Sequence, residues 1–516
     1  MLEKFLQGIV PRNFQKNILK TCIEKNCLVV LPTGMGKTLI ALMLTIERMK
    51  KFPGQKTLFL APTRPLAEQH INSFKKYLPE LFADMQLFTG QIDASSRKKI
   101  WQTADIIFST PQCIANDLKK ELYSLKEVCL LVEDEVHRCV KNYDYVYVAK
   151  RYTAQSKNPR ILGLTASPGN ERSKIQEICK TLSIGEVEIR SKDSPDVQEY
   201  IQELEFEKEI VDFPEEFKQI RESLLKLFNK YVGELRNRKI FFEPASKTNL
   251  LSLQKRLIME LAKGSKNYNF MLGASACAQA IKIQHALELL ETQTLKGFND
   301  YLKELFNQAS KKKSRGVVNL VSKPEFNLAY ILSNDILSRG EEHPKLKRLT
   351  ELIEKQKIGE NGKAIIFSQF RETASTICKK LNAVKGVKAK VFIGQTKKNG
   401  VGLSQKEQKE IIQDFSEGKI NILCATCIGE EGLDIPEVKA VIFYEPIPSA
   451  IRTIQRTGRT ARLSKGKLII LITKGTRDEI HYYVSRAKEK KMASIIDSIK
   501  KDLKKSKKSE KQGELF

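Results

Sequence analysis

Short apolar runs separated by helical spacers fill the first and last parts of the chain, and a long tract of helical periodicity divides them. The first set comprises Cys27–Leu31, Lys56–Leu60, Ala104–Pro111, Glu127–Val132 and Arg160–Pro168. The second comprises Lys363–Phe367, Ala389–Ile393, Asn421–Ala425, Ala440–Tyr444 and Lys467–Ile472. Runs of this length with helices between them predict parallel strands covered on both faces. From Ser191 to Glu342 the spacing changes: Phe217, Ile220, Leu224, Leu227, Phe228 and Tyr231 recur every three or four residues, as do Leu250, Leu253, Leu257 and Leu261. The pattern predicts an α/β protein of two parallel-sheet lobes with an all-α insertion between them. The expected divisions are residues 1–190, an insertion at 191–342, a second lobe at 343–487 and a lysine-rich tail at 488–516, a helix that frays into disorder.

Polar motifs sit where these strands end, which is where open parallel sheets bind ligands. Leu31-Pro-Thr-Gly-Met-Gly-Lys-Thr38 joins the first strand to a helix, the setting of a phosphate-binding loop. Gly34 and Gly36, with Thr33 and Met35 between and before them, let backbone N–H groups wrap an anion at a helix N-terminus. Lys37 is placed for the β/γ-phosphates and the Thr38 hydroxyl for Mg²⁺. Leu31 stands where the general motif has its first glycine. Gln15, ahead of the loop, offers the donor and acceptor an adenine edge requires, although a surface helix position is the other reading. Asp134 and Glu135 end the strand Glu127–Val132 in Glu-Asp-Glu; Asp134 suits Mg²⁺ and Glu135 suits the orientation of an attacking water. His137, Thr165 and Ser167 are either couplers between two ligand faces or local caps and turns. The second set of strands holds no phosphate loop, so its part is to close over the first. Gln455-Arg-Thr-Gly-Arg-Thr-Ala-Arg462 supplies arginines that could clamp a γ-phosphate from across the cleft.

Composition narrows the partner. The 516 residues carry 89 Lys+Arg against 61 Asp+Glu, a formal net charge of +28. That excess favours a polyanion, nucleic acid first, though a lysine-rich solvated surface has the same composition. Arg236–Lys239 and Lys311–Arg315 are basic spots within the insertion that could be phosphate contacts or solvated helix ends. Ten cysteines lie mostly in apolar runs, and Cys424–Cys427 is a lone C-x-x-C, so buried reduced thiols are expected rather than a zinc site. With no apolar segment of spanning length and an acidic residue at position 3, the expectation is a cytoplasmic protein, nucleoid-associated in an archaeon or nuclear in a eukaryote.

These motifs in this order resemble superfamily 2 helicases, and more narrowly the archaeal Hef and eukaryotic FANCM group. The resemblance rests on Asp134-Glu-Val-His-Arg-Cys-Val-Lys-Asn-Tyr143, Ile393-Gly-Gln395 with Gly402–Gln408, Gly429–Pro436 and above all Phe443–Arg456. It implies two RecA-like lobes, ATP with Mg²⁺ as cofactors, and 3′ to 5′ movement on forked or Holliday-type DNA in repair. It implies that Gln15 contacts adenine and that Gly432, Asp434, Gln455, Arg459 and Arg462 reach the nucleotide from the second lobe. Pro62, Thr63, Arg64, Thr89, Gly90, Thr110, Pro111, Ser368, Gln369, Gly394 and Thr426 would follow the nucleic-acid backbone, and the insertion would be a thumb-like grip on branched DNA. Longer archaeal relatives append an XPF-type nuclease, for which the lysine-rich tail is too short, so DNA cleavage is not expected. A separate nuclease remains open as a partner, as does a sliding clamp, which Gln512, Leu515 and Phe516 faintly suggest. Two other readings stand beside this one. One is a duplex-RNA-directed ATPase of the Dicer or RIG-I-like type; the other is a basic scaffold that binds DNA without turning over ATP.

Overall fold

A computed structural model of the chain describes residues 5–32, 34–140, 143–166, 172–190, 194–198, 200, 205–263, 268–312, 314–358, 362–394, 402–426, 438–446 and 467–488, with several positions between 490 and 498. Thr33, Ser167, Gly432, Asp434, Gln455, Arg459 and Arg462 lie outside the described residues.

Seven parallel strands form the first sheet: β1 (Cys27–Val30), β2 (Lys56–Leu60), β3 (Met85–Phe88), β4 (Ile106–Ser109), β5 (Val128–Asp134), β6 (Ile161–Thr165) and β7 (Glu186–Ile189). Their order is β3-β4-β2-β5-β6-β1-β7. Successive residues of β1 go to opposite faces, Leu28 and Val30 joining one apolar cluster while Cys27 and Val29 join the other. This two-sided burial is why the strand reads as an unbroken apolar run. Truncating one of these fully buried leucines to alanine costs about 2–5 kcal/mol.

The second sheet contains β8 (Glu205–Val211), β9 (Ala364–Phe367), β10 (Ala389–Phe392), β11 (Ile422–Ala425), β12 (Ala440–Phe443) and β13 (Lys467–Thr473). Its order, β10-β11-β9-β12-β13-β8, repeats that of the first with β8 in the place of β1. Here the structure differs from the sequence pattern, which puts residues 205–211 with the insertion. They pair in parallel with β13 along all seven residues, and the guanidinium of Arg348 holds Glu209 at 2.8 Å. The helical insertion therefore departs from the second sheet after β8 and returns to it through the helix Pro344–Lys355.

The insertion includes the helices Glu215–Asn237, Lys247–Ala262, Tyr268–Thr292, Leu295–Ser310, Arg315–Val321 and Pro324–Ser338 around one apolar core. Phe217, Ile220, Leu224, Leu227, Phe228 and Tyr231 all face it, whereas Leu261 is only half-buried. A polar joint fastens this bundle to the second sheet. Lys345 Nζ donates to Thr292 O at 2.6 Å and to Asp478 Oδ2 at 2.7 Å, with both charged side chains fully buried. Thr373 Oγ1 donates to Gln293 Oε1 at 2.8 Å beside it. Burial, aided by the neighbouring Lys345 charge, pushes the His343 imidazole well below its ordinary value, so it is neutral here. Between the lobes, Lys409 Nζ meets Glu68 Oε1 at 3.0 Å, and Ile495 from the tail packs on the core of the first lobe. Among the described residues no helix is long and apolar enough to cross a membrane.

Candidate functional site

The first sheet's order separates two groups of strand ends. The loop after β1, the Asp134–Glu135 turn after β5 and Thr165 at the end of β6 lie at neighbouring positions, because β5, β6 and β1 are adjacent. Pro62–Arg64 follow β2, Thr89–Gly90 follow β3 and Thr110–Pro111 follow β4, and those strands are adjacent too. The second sheet repeats the second grouping: Ser368–Gln369 follow β9, Gly394 follows β10 and Thr426 follows β11.

In the loop before the helix Lys37–Lys51, Gly34 and Gly36 have φ of 86° and 81°, values that favour glycine. A Cβ on Gly36 would run into Gln15 Nε2. Gln15 is buried at the start of the helix Asn13–Glu24; its Nε2 donates to Met35 O at 3.0 Å and its Oε1 accepts from Arg12 N at 2.9 Å. The predicted base reader is thus a brace of the loop, with one amide hydrogen beyond the one given to Met35. Lys37 Nζ curls back to Leu31 O at 3.0 Å, so the ammonium lies within the loop.

Asp134 is buried at the end of β5, and its backbone carbonyl accepts from Tyr145 Oη at 2.7 Å. Burial alone would raise its carboxyl, but the His70 hydrogen bond and the Lys37 charge outweigh it and hold the group below its ordinary value, hence ionised. The neighbouring Glu133 is buried beside the Cys139 thiol, and burial pushes it up to about 8. Glu135 takes the left-handed conformation, φ 51° and ψ 46°, which costs a non-glycine residue about 1 kcal/mol. The strained turn sets its carboxylate beside His137, whose Nδ1 stands 3.2 Å from Glu135 Oε2 and 3.3 Å from Thr165 Oγ1. Glu135, His137 and Thr165 are brought together. Ionised Asp134, the glycine-lined loop and Lys37 are a donor set that suits a triphosphate with Mg²⁺.

On the other group of strand ends, Thr63 Oγ1 and Arg64 Nε are buried without a hydrogen-bond partner, while Arg64 Nη1 donates to Gln91 Oε1 at 2.6 Å. Arg97 braces the turn after β3 through Thr89 O at 3.4 Å and is clamped by Asp117. In the second lobe Ser368 N donates to Ala425 O at 3.0 Å and Thr426 N to Phe392 O at 3.1 Å, so these ends lie side by side. Ser404 and Glu407 cap the helix Gln405–Ser416 reciprocally, and buried Gln408 on it donates to Ile393 O at 2.9 Å, fixing the chain just before Gly394. Arg236 and Lys239 are exposed near the far end of the insertion, and Lys311, Lys312 and Arg315 are exposed too.

His70 was not among the expected residues, although it bridges Thr38 and Asp134 through contacts of 3.3 Å and 2.8 Å. A signal for it exists: it interrupts the apolar stripe Ala67, Ile71, Phe74 of the helix Arg64–Tyr77, and a polar side chain in a buried stripe needs partners.

Comparison with known proteins agrees with this geometry. Residues 12–175 match the family DEAD/DEAH box helicase and residues 344–464 the family Helicase conserved C-terminal domain. Residues 216–335 match a family described as "Putative ATP-dependent RNA helicase, helical bundle". The solved Hef helicase domain of Pyrococcus furiosus superposes with a TM-score of 0.72 at 42% identity, covering 92% of this chain and 98% of that one. Relatives include "Putative ATP-dependent RNA helicase MJ1505" of Methanocaldococcus jannaschii, 37% identical over 95% of the chain and 61% of its own length. The ATP-dependent DNA helicase mph1 of Neurospora crassa is 32% identical over 91% of the chain and 41% of its own length. The Fanconi anemia group M protein homolog of Mus musculus is 30% identical over 94% of the chain and 26% of its own length. The chain therefore spans less than two thirds of the length of these curated relatives.

Proposed function

Because the chain belongs to the Hef and FANCM family of superfamily 2 helicases, we propose that it is an ATP-driven motor acting on forked and branched DNA in repair and replication restart. The observation that carries this reading is the division of strand ends in the first sheet, one adjacent set suited to a nucleotide and the other to a nucleic-acid backbone. The cytoplasm, or a nucleus in a eukaryote, is where such a motor would work.

In this reading Thr33–Thr38 cradle the phosphates, Gln15 braces the loop and turns its remaining donor to adenine, and Lys37 leaves Leu31 O for the β/γ-phosphates. Thr38 and Asp134 hold Mg²⁺, which when bound neutralises the phosphate oxygens as charge develops. Glu135 orients the attacking water, and His137 with Thr165 and Ser167 passes its position toward the DNA side. Gly432, Asp434, Gln455, Arg459 and Arg462 complete the pocket from the second lobe, making hydrolysis depend on lobe closure. Pro62, Thr63, Arg64, Thr89, Gly90, Thr110 and Pro111 follow the backbone in one lobe, and Ser368, Gln369, Gly394 and Thr426 in the other. The bundle spanning 212–342, anchored on the second sheet, grips the branch. Residues 1–190 with 343–487 form the motor lobes, β8 being counted with the second.

Glu135→Gln is expected to abolish fork-stimulated phosphate release while fork affinity stays within about threefold of the parent. Unwinding at the parental rate by that variant would refute the motor reading, and absence of turnover by the parent would leave a basic scaffold. The RNA wording in the helical-bundle family and the Methanocaldococcus relative favours a second reading, a duplex-RNA-directed ATPase. ATPase stimulation by single strand, duplex, fork, four-way junction and duplex RNA separates the two: stronger stimulation by duplex RNA than by any DNA would transfer the assignment.

A further inference from the structure

The helix Arg64–Tyr77 lies against the first sheet through Ala67, Ile71 and Phe74. His70 lies in that same strip, 6% exposed, its ring centroid 4.4 Å from that of Phe59. Both ring nitrogens have partners. Nδ1 stands 3.3 Å from Thr38 Oγ1 and Nε2 stands 2.8 Å from Asp134 Oδ2.

An ionised carboxylate only accepts, so Nε2 carries the hydrogen and donates it to Asp134. In the neutral imidazole the other nitrogen, Nδ1, holds a lone pair and accepts from the Thr38 hydroxyl. The hydroxyl hydrogen is drawn to the imidazole, which leaves the lone pairs of Thr38 Oγ1 to a cation. Oδ2 of Asp134 is held by a short charge-assisted bond, while the Tyr145 hydroxyl holds the backbone carbonyl of the same residue at 2.7 Å. One ring thus sets the hydroxyl of the phosphate loop and the carboxylate of β5, two groups 96 residues apart in sequence (134 − 38). Groups that orient metal-ligating oxygens typically change metal affinity by about 10–100-fold when removed.

We propose that His70 is the positioning residue of the Mg²⁺ site, fixing the orientation of Thr38 and Asp134 for the metal that accompanies the nucleotide. This inference rests on the assignment of those two oxygens to Mg²⁺ in the reading above. His70 itself touches neither nucleotide nor metal in that assignment. Its effect is on how strongly Mg²⁺ tightens nucleotide binding, rather than on nucleotide binding as such.

The test titrates a fluorescent ADP analogue into the full chain in Mg²⁺ and again in EDTA, for the parent, His70→Ala and His70→Gln, with thermal melting alongside. The expected result is that His70→Ala lowers the Mg²⁺-dependent gain in affinity about 10–100-fold and leaves affinity in EDTA as in the parent. His70→Gln, whose amide can donate to Asp134 and accept from Thr38, recovers part of the gain and carries the test if the alanine variant does not fold. An unchanged Mg²⁺-dependent gain in both variants overturns the proposal. Equal losses in Mg²⁺ and EDTA with a lowered melting point also overturn it, since they describe a packing role against Phe59. If the parent shows no Mg²⁺-dependent gain, the assignment of Thr38 and Asp134 fails and this proposal falls with it; a parental gain that the variants keep refutes the role of His70 alone.

Discussion

Glu288 shows how one buried carboxylate can join two helices of the insertion. Lys247, on the helix Lys247–Ala262, reaches across to it, and His285 Nδ1 lies 3.3 Å from the same oxygen. Burial would raise this carboxyl, yet the His285 and Lys247 hydrogen bonds outweigh it and bring it from an ordinary 4.5 to about 2. The folded state therefore binds its proton less tightly than the unfolded state. The resulting stability is fully present above about pH 4.5 and is lost as pH falls toward 2. The shift bounds the contribution at about 3 kcal/mol, and exposure of Lys247 reduces it to about 1–2 kcal/mol. Glu288→Gln is expected to lower the melting temperature by a few degrees at pH 7, with the gap to the parent narrowing by more than half at pH 3. A gap independent of pH would show that the ion pair is not its source.

Lys345 is a second residue whose importance comes from burial. Its ammonium has no solvent, and Asp478, Thr292 O and the face of Tyr444 at 4.7 Å replace it. Removing one member leaves the other charged and unpaired, at a cost of about 3–5 kcal/mol. Lys345→Met should therefore destabilise strongly, and Lys345→Met combined with Asp478→Leu should restore most of the loss. Chemical denaturation of the single and double variants checks both statements. Failure of the double variant to recover would mean that Thr292 O, rather than Asp478, is the partner that matters.

At the scale of elements, β8 carries the clearest lesson. Its residues Glu205-Phe-Glu-Lys-Glu-Ile-Val211 set three consecutive charged side chains between Phe206 and Ile210, and these two remain 37% and 58% exposed. No periodicity argument separates this from a solvated helix, and only the edge of β13 makes it a strand. A fragment beginning at residue 205 covers that edge, whereas one beginning at 343 leaves β13 open to pairing with other chains. The shorter fragment should aggregate at concentrations where the longer is monodisperse by light scattering. Equal behaviour would show that β13 needs no cover. The helix Arg64–Tyr77 is informative in another way: Arg64 stands at the strand end after β2, Glu68 meets Lys409 of the second lobe and His70 meets Thr38 and Asp134. Six residues separate Arg64 from His70, about 9 Å at the α-helical rise. A rigid element of that length links the two groups of strand ends mechanically.

At the scale of the whole molecule, the ion pair Lys409 to Glu68 joins the lobes among the described residues and contributes about 0–1 kcal/mol, too little by itself to lock them. In the proposed motor, closure would come from the ligands. The net charge of +28 acts over the same scale. Affinity for a fork is expected to fall by about 10³ or more between 50 and 200 mM salt, following the release of counterions from some six or more phosphates. Fluorescence anisotropy of a labelled fork measures this directly, and a flat salt dependence would remove the electrostatic grip from the reading.

What the chain determined by itself is local: apolar runs became β1, β2, β5, β9 and β12 because both faces of such strands are covered, and Gly34, Gly36 and Lys37 formed a tight glycine turn into a helix because its geometry is written in consecutive residues. The helical periodicity of 215–237 likewise sufficed to name its buried face. Tertiary structure alone decided that β8 belongs to the second sheet, that Lys345 and Asp478 share one buried joint, and that His70 meets Thr38 and Asp134. Each of these depends on partners distant along the chain, and the energy that selects them, desolvation offset by a matched charge or hydrogen bond, exists only once the partners are packed together.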